Sequence, residues 1–153
     1  MTRVVVFACG EPLRGDDGSG PASVERLSAA VRAVVEVRAR PSLSADDLLV
    51  LPRGAAAVVV DAVTGPPAGT IVRERLLDLG RTAVPWVPSS GHQLPLATTV
   101  GLARALGWYG SGTFLGVGAR SLTLGDGLSE PVAAALPSLT AAVEREVMAL
   151  AGW

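Results

Sequence analysis

Three stretches of the chain are apolar at nearly every position: RVVVFA (residues 3–8), GAAAVVVDAV (54–63) and GTFLGVGA (112–119). Short, β-branched runs without alternation are what strands covered on both faces require. Between them the pattern changes. A glycine-rich loop follows the first run. Pro21, Val24, Leu27, Val31 and Val34 then predict a helix over about 20–33, its proline in the first turn where a missing N–H costs nothing. VVEVRAR (34–40) alternates like a strand with one wetter face. Ser44 followed by Asp46 and Asp47 reads as a capped start to a short helix. GTIVRERL (69–76) predicts a strand inside a Pro/Gly-rich segment, PLATTVGLARALGW (95–108) a helix stopped near Gly107, and LPSLTAAVEREVMALAG (136–152) a closing helix.

Buried strands alternating with helices predict an α/β fold: a three-layer sandwich with a twisted, mostly parallel sheet between helices. The 153 residues suit a single domain, 1–153, with no internal repeat or linker. In such sheets ligands bind outside the carboxyl ends of the strands. Asp16 and Asp17 follow the first strand, Asp61 is expected to end the central one, and His92 lies in a Pro/Gly-punctuated loop before a helix.

Composition narrows the chemistry. No apolar run approaches a membrane span. All 13 basic residues are arginine, which excludes a lysine Schiff base and a P-loop lysine. A net charge of −1 without a basic cluster argues against nucleic acid as a partner. The single cysteine, Cys9, excludes an internal disulfide framework or a CxxC metal knuckle. The chain enters its first strand after one basic residue, leaving no room for a signal peptide, so a cytoplasmic location is expected.

The loop CGEPLRGDDGSG (residues 9–20) has the G-x-x-x-x-G spacing of a phosphate cradle, but Asp16 and Asp17 stand where lysine and a hydroxyl residue belong. Ser23 also occupies the third glycine's place in a dinucleotide fingerprint. Two carboxylates repel phosphate, which disfavours nucleotide binding. Asp16 reads as an N-terminal helix acid worth about 0.3–1 kcal/mol. Asp17, beside Gly18, is the stronger functional candidate. Asp61 closes an apolar run, where an unpaired charge is costly; it is either a turn residue or a group held for chemistry. His92, the only histidine, is either an ordinary loop residue or part of a site. Two carboxylates and an imidazole make a ligand set for a divalent transition metal, although no local metal motif such as HExxH is present. A serine hydrolase using Ser89 or Ser90 with His92 and Asp61 lacks the G-x-S-x-G elbow. Cys9 is a small buried hydrophobe or, less simply, a nucleophile. Trp86, Trp108 and Trp153 read as packing or surface anchors.

Four blocks in order resemble the nickel-iron hydrogenase maturation endopeptidases. VVVFACGEPLRGDDGSGPASVERL is similar to their strand, G-N-x-x-x-x-D-[DE]-G-x-G loop and helix. VVVDAV, SSGHQLPLATTVGLARALG and FLGVGARSLTLGDGLSEPVAAALP resemble the later blocks, so the likeness covers nearly the whole chain. The resemblance implies an endopeptidase that reads nickel in a hydrogenase large-subunit precursor and removes the precursor's C-terminal extension. It implies that Asp17, Asp61 and His92 contact the metal and carry the reaction. Nickel then comes with the substrate, and no organic cofactor is expected. Glu11 replaces the family's asparagine, and Gly91 and Pro95 depart from SxHQLGL, while the three ligand positions are kept. A non-catalytic metal-binding or chaperone-like module, or a peptidase acting on another metalloprotein precursor, uses the same residues and stays open.

Overall fold

The computed structural model describes residues 1–153 apart from Gly80, Thr82, Ser90, Gly91, His92 and Gln93. The elements are β1 (Val4–Cys9), α1 (Ser19–Glu25), α2 (Ala29–Arg32), β2 (Val35–Arg40), α3 (Ala45–Leu49), β3 (Ala56–Thr64), β4 (Ile71–Arg75), β5 (Val87–Pro88), α4 (Leu96–Ala105), β6 (Gly112–Gly118) and α5 (Glu130–Ala151). The main sheet runs β2-β1-β3-β6-β4. Strands β1, β2, β3 and β6 are parallel, β4 joins β6 antiparallel, and β5 pairs antiparallel with the end of β3. This is the expected α/β sandwich.

Strand alternation divides the core in two. Val4, Val6, Val58, Val60, Leu115 and Val117 pack with Leu136, Leu139, Val143 and Val147 of α5. Val5, Phe7, Val59 and Phe114 pack on the opposite face with Leu48 of α3, Val100 of α4, Trp86 and Trp108. The Trp86 and Phe114 rings stack with centroids 4.8 Å apart, the packing role expected of Trp86. Each fully buried Val, Leu or Phe contributes about 1.5–3 kcal/mol, so both helical layers are held firmly to the sheet. The edge strands β2 and β4 instead carry Glu36, Arg38 and Arg40, and Arg73, Glu74 and Arg75. Charged edges of this kind discourage further strand pairing.

Several boundaries differ from expectation. The helix expected over 20–33 is broken after Glu25. The Arg32 guanidinium donates to the carbonyls of Val24, Glu25 and Leu27, satisfying the end of α1, and Ser28 caps the short α2 by accepting the Val31 N–H. α5 begins at Glu130, with Pro131 in its first turn; Pro137 lies inside it on the exposed side, where the carbonyl it leaves unpaired meets water. β5 was not expected at all: two residues, one a proline, give no periodic signal. Among the described residues no helix is long and apolar enough to cross a membrane.

Candidate functional site

Asp61 does not end its strand. It is mid-strand in β3, which continues to Thr64, whereas the neighbouring β1 stops at Cys9. The register pairs Val60 with Ala8, so Asp61 stands where the sheet steps down beside the end of β1. The residue is 2% exposed, and Oδ1 accepts the Ala62 N–H at 2.8 Å. Cys9 and Asp61 line one cleft with Leu43, Pro88, Leu94, Leu96 and Thr99.

The first loop turns sharply to bring Asp17 to the same edge. Gly10 adopts φ +125°, and a Cβ there would lie 1.9 Å from the Asp17 carbonyl oxygen, so only glycine fits. Residues Gly15–Gly18 form a buried 3-10 turn. Within it Asp17 is held on both oxygens: Oδ2 accepts the Glu11 N–H at 2.8 Å, and Oδ1 accepts the Ser89 hydroxyl at 2.8 Å. The Arg14 guanidinium lies 3.6 Å from Oδ2 and donates to the Ser89 carbonyl at 3.2 Å. Ser89 in turn donates its N–H to the carbonyl of Ala62, the residue after Asp61, at 2.8 Å. One residue thus links the Asp17 carboxylate to the Asp61 segment. The sequence offered Ser89 only as a nucleophile candidate; its hydroxyl proton goes to Asp17 instead.

Asp16 turns away and does more than start a helix. Its carboxylate accepts N–H groups from Arg120, Ser121 and Ser129 at 2.7–3.0 Å and the Ser129 hydroxyl at 2.8 Å. Burial pushes its pKa up, but the hydrogen bonds from Ser129, Ser121 and Arg120 together outweigh burial and hold it below the ordinary carboxylate value. Asp16 therefore fastens the β1–α1 loop to the loop before α5. Glu11, whose role the sequence left open, is exposed and folds back so that Oε1 accepts the Leu13 N–H at 3.3 Å.

The local field at the cleft is negative. The Cys9 thiol is pushed well above its usual pKa, first by burial and then by Asp61, Asp47 and Asp17, with Arg40 opposing them. Arg40 is itself engaged by Asp47 at 2.9 Å, in the capping box that starts α3. A thiol kept protonated is a poor nucleophile, so Cys9 is a packing residue here. Among the described residues no group of three or more His, Cys, Asp or Glu side chains is placed to hold a metal ion. The third expected ligand, His92, lies outside the described residues.

No family model and no curated protein matches the chain. Solved structures do. The NiFe hydrogenase maturation protease HybD from Thermococcus kodakarensis superposes with a TM-score of 0.68 at 21% identity, covering 94% of this chain and 98% of that one. The hydrogenase maturating endopeptidase HybD from E. coli gives 0.67 at 23% identity over 93% and 90%. An endopeptidase from Escherichia coli gives 0.72 at 21% identity over 96% and 93%. What these likenesses establish, over nearly the full length of both partners, is that this chain has the fold of the hydrogenase maturation proteases.

Proposed function

We propose that the chain is a hydrogenase-maturation endopeptidase that recognises nickel in a large-subunit precursor and removes the precursor's C-terminal extension in the cytoplasm. The observation that carries this reading is the pair of buried carboxylates, Asp17 and Asp61, with Ser89 bonded both to the Asp17 carboxylate and to the carbonyl of the residue after Asp61. Hard oxygen donors with an imidazole suit a divalent transition metal. In this reading Asp17, Asp61 and His92 contact nickel that enters with the substrate. A substrate carbonyl polarised by that metal is open to attack by water, with a carboxylate of the pair as base. The fold shared with named maturation proteases supports the reading.

The test is co-expression with a nickel-loaded precursor, its C-terminal shortening followed by mass spectrometry. Asp17→Asn, Asp61→Asn and His92→Ala are each expected to slow processing by more than about a hundredfold, a loss typical for removal of one charge-stabilising group, with unchanged circular dichroism. Wild-type rates in all three variants would overturn the reading. Nickel binding without any shortening would identify a metal-binding module in place of a peptidase.

A further inference from the structure

Resting on that reading, we propose that Ser89 and Arg14 are positioning residues that hold the Asp17 carboxylate against the Asp61 segment and so set the site's grip on substrate-borne nickel. Neither touches the reacting atoms; both act through Asp17. The geometry is specific. Ser89 is 8% exposed, and its three polar groups each have a partner that bears on the site. The hydroxyl fixes Asp17 Oδ1, the N–H is tied to Ala62, and the carbonyl accepts from Arg14. Arg14 closes the ring by facing Asp17 Oδ2 from the other side. Asp17 Oδ1 is thereby fixed by the Ser89 hydroxyl, and Oδ2 by the Glu11 N–H with the Arg14 guanidinium alongside. Fixing the plane of a ligating carboxylate in this way governs metal affinity, and loss of such a partner typically costs about 10- to 100-fold.

The experiment compares Ser89→Ala, Ser89→Thr and Arg14→Gln in the full-length chain with wild type and Asp17→Asn. Two readouts are used: the kcat and KM of precursor processing, and calorimetric titration of Ni2+ alone into the chain. For Ser89→Ala the expected result is about a tenfold rise in KM for nickel-loaded precursor with little change in kcat, and about tenfold weaker Ni2+ binding. Ser89→Thr, which keeps the hydroxyl, restores both; Arg14→Gln shifts both in the direction of Ser89→Ala by a smaller factor. Should Ser89→Ala lose its fold by circular dichroism, the partly exposed Arg14 carries the test. Wild-type KM and Ni2+ affinity in Ser89→Ala or, in that event, in Arg14→Gln, while Asp17→Asn loses both, would overturn the positioning role and leave the peptidase reading standing. A wild-type chain that neither processes the precursor nor binds Ni2+ through Asp17 overturns both.

Discussion

Two adjacent aspartates in one loop do opposite things. Asp17 is bonded to Ser89, and Asp16 to the loop before α5. Asp16→Asn keeps the shape but places an NH2 among donors, breaking charge-assisted hydrogen bonds worth roughly 1.5–3 kcal/mol each. A loss of about 3 kcal/mol is expected, lowering Tm by roughly 6–12 °C, measured by thermal denaturation. The pH dependence has a definite sign. Because the folded Asp16 has a pKa below its unfolded value, its contribution is complete above about pH 4 and is lost as pH falls through the folded value. Asp16→Asn removes that part of the acid sensitivity, so the wild-type and variant stability curves should draw together only as the pH falls through the lowered, folded value. Cys9 gives a complementary expectation. Buried and held protonated, it should resist iodoacetamide in the native chain, and Cys9→Ala should process precursor at the wild-type rate. Complete loss of activity in that variant would return Cys9 to the list of nucleophiles.

At the scale of elements, α1 approaches the sheet more closely than an alanine would allow. A Cβ on Gly20 would lie 2.5 Å from the Cys9 carbonyl oxygen and 2.8 Å from that of Val60. Both atoms belong to backbone and cannot move aside, so Gly20→Ala must lift the helix. The expected cost is at least about 1–3 kcal/mol, read from urea denaturation, with reduced processing because the helix carries the Asp17 turn with it. Elements were legible where pattern and packing agree. The three buried strands announce themselves because both faces are covered, and α3 because Ser44 and Asp47 form its capping box. The break between α1 and α2 was hidden because the apolar spacing runs on through it; a single side chain, Arg32, closes the helix. The site was half legible. Asp61 stood out as a carboxylate in an apolar run, and Asp17 as one beside a glycine in the first loop. Ser89 and Arg14 did not, since a hydroxyl and a guanidinium gain their meaning here from partners 72 and 75 residues away.

For the molecule as a whole, stability should be graded across the sheet. β1, β3 and β6 are buried along nearly their full lengths and lie between both helical layers, whereas β2 and β4 are edges with alternate residues in water. In native-state hydrogen exchange the amides of β1, β3 and β6 should open only with global unfolding, and those of β2 and β4 through smaller openings. Equal protection across all five strands would contradict that grading. Asp16 adds a constraint in time. Its partners are Arg120, Ser121 and Ser129, so the loop that carries Asp17 cannot be fastened until the chain has been synthesised past residue 129. A product truncated before residue 120 therefore keeps β1 and β3 but lacks these anchors of the Asp16 carboxylate.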